Sequence, residues 1–441
     1  MDDLSRRLQR LARRIPILLL LPIVGFGTWV TVDPPYKSFP PIGSDGLGYY
    51  AWTNAILDGN FNFCQWPQLK EVAALSGHDP LDPHRCLNRY TPGMALLRLP
   101  VMAPIALISG HGDAGKLVIS EANERADQWL GLATLLIAAW LMWAALRRLA
   151  VGTLTAQLTV LVLVFGTGLF HYAVFDSSFT HDTSAALFAA LIFVGVGAMR
   201  SGVDPRPWVI FVIALFIAWT RLPNILPLLI LVAAWVVWRT RNAQGAGRLR
   251  AALRLALPAL VAVACVAVFQ VLYIHWATNT WTLNSYGAEK LSLTRLEQWN
   301  VLFSYNHGLF LWYPVLALML IVALWQRESR NWGWVALACV AALTAVYGSW
   351  GFWYLGGAMG ERGFVDIVPV ISVAGGLGLA QIRPGRRAAA FVLAGALSWV
   401  TVELMAGYWS LVLPEGQNTG AQYWEQVIGP HAMLNESPPP G

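Results

Sequence analysis

The chain has 441 residues, of which 56% are hydrophobic and only 12% charged. Its mean hydropathy is +0.52, which excludes a soluble multidomain protein, because a soluble surface needs more charge. The net charge of +6 and pI near 9.2 do not point to nucleic acid; they reflect how cations are distributed around apolar runs, with some attraction to anionic lipid.

Taken in chain order, the apolar runs predict an all-α polytopic membrane protein with about eleven transmembrane helices. They lie near 15–32, 128–147, 153–173, 182–199, 207–220, 224–238, 255–277, 309–326, 333–350, 365–382 and 388–407. A hydrocarbon core of about 30 Å needs about 20 residues per helix, and most runs comply. The first run follows a basic segment holding Arg6, Arg7, Arg10, Arg13 and Arg14. No small-residue cleavage site follows it, so it reads as an uncleaved helix rather than a signal peptide.

Next comes a long first outer loop, 33–127. It holds Cys64 and Cys86, and outside the cytoplasm a disulfide between them could persist. It also holds Tyr90-Thr91-Pro92-Gly93 and the apolar stretch 94–108. That stretch is expected to be an interfacial helix rather than a twelfth span, because the acidic segment 111–127 follows it and the next run ends at Arg147-Arg148. The runs 207–220 and 224–238 are short and share the tip Thr220-Arg221-Leu222-Pro223-Asn224, a pattern of spans bent into a cavity. Cys265 and Cys339 lie inside apolar runs and read as packing residues. Residues 1–407 form one transmembrane domain, and 408–441 form an outer tail with the proline-rich end Ser437-Pro438-Pro439-Pro440.

The loops between runs alternate in charge. One set carries 19 of the 30 basic residues and only four acids, Asp2, Asp3, Asp204 and Glu328. Cationic loops stay cytoplasmic, which places the N-terminus inside and the C-terminus outside. The other set holds nearly every residue suited to chemistry, so the working face is expected outside the cytoplasm.

Five constellations stand out on that face. Asp45, in Ser44-Asp45-Gly46-Leu47-Gly48-Tyr49-Tyr50, could act as a general base under a partly dry roof; a turn aspartate capping a helix would look the same. Tyr49 and Tyr50 offer rings and hydroxyls suited to sugars. His181-Asp182 follows Asp176 and could join Asp45 at a metal, or simply start a helix. Arg221 and Asn224 could meet an anion, or Arg221 could snorkel to the interface. Tyr305-Asn306-His307-Gly308 opens one run. Gly360-Glu361-Arg362-Gly363 and Asp366 open another, where a helix start and a forked guanidinium suit an oxyanion; a structural ion pair is the plainer alternative. No Walker motif, dinucleotide fingerprint or nucleophile elbow is present.

The order of these pieces resembles the GT-C superfamily of integral-membrane glycosyltransferases, near bacterial protein mannosyltransferases, lipid A aminoarabinose transferases and O-antigen glucosyltransferases. The resemblance covers about 15–382. It rests on Asp45 early in the long loop, Tyr90-Thr91-Pro92-Gly93, Thr180-His181-Asp182, Arg221-Leu222-Pro223-Asn224, Asn306-His307-Gly308-Leu309 and Gly360-Glu361-Arg362. It implies a polyprenyl-phosphate-linked sugar donor used at the outer face of the inner membrane, and a lipid, glycan or protein acceptor. Asp45 would be the inverting general base, with Asp182 as a second carboxylate, since the sequence reads Asp45-Gly46 where several relatives carry an acidic pair. Arg362, then Arg221 and His307, would bind the donor phosphate. Tyr49, Tyr50, His181, Tyr305, Asn306 and Glu361 would contact sugar or acceptor. No cofactor is implied, though a divalent metal is conceivable. A flippase for a lipid-linked sugar would need the same cations without a base, and a glycan polymerase or ligase would be close in chemistry.

Overall fold

Long leucine-, valine- and alanine-rich runs have nowhere to satisfy their backbone in a bilayer except as helices, and helices dominate the chain. The computed structural model describes residues 16–33, 40–79, 82–109, 115–241, 246–414 and 416–429, apart from 288, 290 and 293. The five N-terminal arginines, His111, Asp113 and the proline-rich end lie outside the described residues.

In chain order the elements are α1 (Ile17–Val32), α2 (Asp45–Asp58), α3 (Gln68–Glu71), β1 (Leu75–Asp79), β2 (Asp82–Asn88), α4 (Gly93–Ser109), α5 (Glu121–Arg148) and α6 (Thr153–Phe165). They continue as α7 (Leu169–Val174), α8 (His181–Ser201), α9 (Pro207–Thr220), α10 (Ile225–Arg241), α11 (Ala246–Thr278) and α12 (Gln298–Phe303). The last are α13 (Leu309–Trp312), α14 (Pro314–Trp325), α15 (Arg330–Gly348), α16 (Val368–Gln381), α17 (Pro384–Trp409) and α18 (Gly420–Ile428). Short 3-10 turns precede α10 (Leu222–Asn224) and α16 (Arg362–Ile367).

Among the described residues, seven helical units are long and apolar enough to cross a bilayer, including α5, α8, α11, α15 and α17, and five shorter apolar helices accompany them. Every predicted run is helical, but two are interrupted. The run 153–173 breaks after Phe165 into α6 and α7, and 309–326 breaks at Tyr313-Pro314 into α13 and α14, where proline has no N–H to continue the ladder. The expectation of helices alone in the first loop missed an antiparallel hairpin, β1 paired with β2. Cys64 and Cys86 are joined as a disulfide.

Two cores organise the molecule. The larger runs through the bundle, from Leu19 and Leu135 to Phe364 and Ile371. The smaller belongs to the first loop and the end of α11, with Trp52, Phe63, Trp66, Leu87, Tyr90, Tyr273 and Ile274. The helix ends also sort. At one end Arg148 reaches the carbonyl of Phe193, Arg239 pairs with Asp204, and Arg387 bonds Thr155. At the other end lie all the acidic and histidine clusters described below.

Candidate active site

The site begins where α2 starts. Asp45 is the first helical residue, with Ser44 before it at φ +47°, a conformation that costs energy for a residue with a Cβ and marks a position held by its surroundings. A Cβ at Gly46 would strike Ser178, and one at Gly48 would strike the Tyr90 ring, so both glycines are needed for the close approach the sequence suggested. Tyr90 is fixed by its backbone. Its N–H donates to Asn88 Oδ1 (3.1 Å), Asn88 donates to the Gly48 carbonyl (2.8 Å), and Trp52 Nε1 donates to the Tyr90 carbonyl (2.8 Å).

These constraints aim two donors at Asp45. Tyr90 donates its hydroxyl to Oδ1 at 2.6 Å, and Arg362 Nη2 donates to Oδ2 at 2.7 Å. Asp45 therefore spends its carboxylate on Tyr90 and Arg362 and not as a helix cap. Burial, then the Asp45 charge, hold the Tyr90 hydroxyl well above its ordinary pKa, so it stays a donor. Arg362 also donates to the Leu355 carbonyl (2.8 Å) and lies over the Phe179 ring at 4.9 Å. Leu355, whose carbonyl Arg362 meets, has positive φ like Ser44 beside Asp45, so a strained residue adjoins each member of this ion pair. Gly360, at φ +64°, passes so near the Tyr313 ring that a Cβ would clash.

A second cluster sits one turn away on the same 3-10 segment. Asp366 Oδ1 is 2.8 Å from His181 Nδ1, and Arg221 Nη1 lies 3.0 Å from that nitrogen and 3.3 Å from Asp366 Oδ2. A carboxylate can only accept, so Nδ1 carries its hydrogen toward Asp366, and the Arg221 hydrogen bond goes to Oδ2. Phe179 links the clusters, since its ring faces both Arg362 and His181. Asn224 donates to Ser184 Oγ (3.1 Å) and Thr91 to the Thr220 carbonyl (2.9 Å), which pins the tip carrying Arg221.

Asp182 goes elsewhere. Arg98 Nη2 donates to its Oδ2 at 2.8 Å, while Arg98 Nη1 bonds Asp127 (2.5 Å) and the Ser177 carbonyl (2.8 Å). All three charged side chains are buried. This triad ties α4 to α5 and α8, and neither Asp45 nor Arg362 takes part in it. Arg98 was missed in the sequence, although a lone arginine inside an apolar stretch is itself a signal of a buried partner.

The remaining candidates divide. The Tyr49 ring lies tilted against that of Tyr90, centroids 4.8 Å apart, and burial pushes its hydroxyl above the usual range; it faces the Asp45 side. Tyr50, next in the helix, turns away and donates to the Val118 carbonyl. Glu361 is fully buried, with no hydrogen-bond partner for either oxygen among the described residues, and burial holds its carboxyl well above the ordinary value. His307 donates from Nδ1 to the Tyr354 carbonyl (3.3 Å), and burial lowers its pKa to about 4. It is therefore a neutral ring at neutral pH and does not supply the cation expected of it in this state. Tyr305 and Asn306 belong to the junction with the C-terminal segment. Asn306 accepts from the N–H groups of Gln417 and Asn418, and the Tyr305 ring meets Tyr423 at 5.3 Å. Among the described residues no three His, Cys, Asp or Glu side chains are grouped to hold a metal.

Fold and site together define a polytopic helical membrane protein with a half-buried carboxylate–arginine centre at one end of its bundle. The structure of ArnT from Cupriavidus metallidurans bound to undecaprenyl phosphate has the same fold, with a TM-score of 0.52 and 15% sequence identity over 92% of this chain. The chain spans 66% of the length of that protein. No family model matches the chain, and no curated protein matches it.

Proposed function

We propose that this chain is a GT-C glycosyltransferase that moves a sugar from a polyprenyl-phosphate donor to an acceptor hydroxyl, working at the outer face of a bacterial inner membrane. The observation that carries the reading is Asp45 held between Tyr90 and Arg362, on a fold shared with a protein that binds undecaprenyl phosphate. In the proposed reaction the donor phosphate competes with Asp45 for Arg362. Oδ2 is thereby freed to accept the proton of the acceptor hydroxyl while that oxygen attacks the anomeric carbon. The bond from that carbon to the phosphate oxygen breaks with inversion, and polyprenyl phosphate leaves. Arg362, with Arg221 behind it, stabilises the charge that grows on the leaving phosphate. In this reading Tyr49 and Glu361 would meet hydroxyls of the sugar or acceptor, which is a lipid, a glycan or a protein.

The test is transfer of radiolabelled sugar from a panel of polyprenyl-phosphate donors in membranes, with and without chelator. Asp45→Asn should lower transfer by about 100-fold or more while the protein remains folded, the range for losing a general base. Near-normal transfer by that variant would remove Asp45 as the base and move attention to Glu361. A chelator effect would bring a divalent ion into the site.

A further inference from the structure

The end of the bundle opposite Asp45 carries a cleft of about 780 Å³ between the C-terminal turns of α5 and α8 and the loop into α9. Arg148, Phe193, Gly197, Arg200, Val203 and Arg206 line it. One cation there is already committed: Arg148 lies on the Phe193 ring at 3.5 Å and donates to its carbonyl at 2.9 Å. A Cβ at Gly197 would collide with that guanidinium, so the glycine keeps room for it. The one acid lining the cleft, Asp204, is held by Arg239 of α10, Nε to Oδ1, at 2.8 Å. Arg200 and Arg206 are exposed and have no hydrogen-bond or ion-pair partner among the described residues.

The rim is apolar. Val203 is 70% exposed and Trp208, at the start of α9, is 60% exposed. Tryptophan at a span end sits at the headgroup level. Two unpaired guanidiniums beside an exposed apolar rim fit a phosphate that carries acyl chains. A free anion would leave the rim unused. A choline headgroup would bring its own cation against the arginines.

We propose that this cleft binds an anionic phospholipid of the adjacent leaflet, its phosphate held by Arg200 and Arg206 and its chains lying along Val203 and Trp208. The site is separate from the transfer centre and does not depend on the reading given to that centre.

The experiment titrates full-length protein in detergent with dioleoyl-phosphatidylglycerol, dioleoyl-phosphatidylcholine or inorganic phosphate, and follows the thermal unfolding midpoint. Phosphatidylglycerol should raise the midpoint saturably, as a ligand of the folded state does. The double variant Arg200→Gln with Arg206→Gln should weaken that response about thirty-fold, each arginine near a lipid surface contributing roughly five-fold. The single variants should lie between and serve if the double variant fails to fold. Equal responses to the two lipids, or an unchanged response in the variants, would overturn the proposal. A shift reproduced by inorganic phosphate alone would also overturn it, in favour of a free-anion site.

Discussion

Burial shifts Glu361 upward and His307 downward, so their protons pull stability in opposite directions. The Glu361 carboxyl is held above its ordinary value of 4.5 by burial, so above that pH the folded chain binds a proton that the unfolded chain has released. Stability from this group is full at acid pH and falls as pH rises through the raised value. His307 is lowered from 6.5 to about 4, so below about 6.5 the unfolded chain binds the extra proton, and stability falls as pH drops. From about pH 4.5 upward, while His307 of the unfolded chain still binds its proton, the two slopes oppose one another. Glu361→Gln should therefore leave a steeper loss of stability toward acid than wild type shows, and His307→Asn should leave a steeper loss toward alkali. Unfolding midpoints across that window in detergent check both. A Glu361→Gln profile parallel to wild type would mean that the carboxyl is ionised in the folded chain. The same chemistry bears on the site, because a protonated Glu361 can donate to a sugar oxygen, whereas an ionised one could only accept.

At the scale of elements, the triad of Arg98 with Asp127 and Asp182 shows what joins α4 to the bundle. One guanidinium neutralises two buried carboxylates only in part, and the Ser177 and Thr183 hydroxyls supply further donors. Arg98→Met would leave both acids buried without their cation, a loss of about 3–5 kcal/mol by the usual cost of breaking a buried pair. Adding Asp127→Asn and Asp182→Asn should recover much of it, since neutral amides cost less to bury. Thermal midpoints of the single and triple variants distinguish this from a simple packing defect, which the two amides would not repair. Here also lies the limit of reading the chain from its sequence. The apolar runs were legible because period and length report burial directly, and Asp45, Arg221 and Arg362 stood out as candidates because polar residues between such runs are conspicuous. Which acid meets which base was not, because partners such as Arg98 and Asp182 come from separate helices and no spacing encodes their meeting. The hairpin of β1 and β2 was hidden for a related reason. Leu75 to Asn88 has no clean alternation, and its strands are stabilised by the Cys64–Cys86 link and by Tyr273 of α11, whose hydroxyl accepts from Asn88 N–H at 3.0 Å. Tyr305 and Asn306 were assigned to the sugar on the family resemblance; Asn306 Oδ1 and the Tyr305 ring meet the C-terminal segment, which no spacing in the sequence announces.

Across the whole molecule, the separation of charge sets up a test of orientation. Helix α11 has 33 residues, about 50 Å at 1.5 Å per residue, well beyond a hydrocarbon core of about 30 Å. Its far end packs against the first-loop core through Tyr273 and Ile274, which seats that loop at the Asp45 end. Its near end holds Arg248, Arg250 and Arg254, on the same side as Arg148, Arg200, Arg206 and Arg239. In the proposed orientation, which follows the positive-inside rule, the arginine end is cytoplasmic and Asp45 is outside. Single cysteines at Ser201 and Thr280, both exposed and at opposite ends, read this directly with a membrane-impermeant thiol reagent on intact cells. The native background is low, because Cys339 is buried, Cys64 and Cys86 are bonded to each other, and Cys265 is exposed only midway along α11, where a charged reagent does not enter lipid. Thr280→Cys should label in intact cells and Ser201→Cys only after permeabilisation. The reverse pattern would place Asp45 in the cytoplasm, within reach of soluble nucleotide-linked sugars, and would remove the reason for a lipid-carried donor.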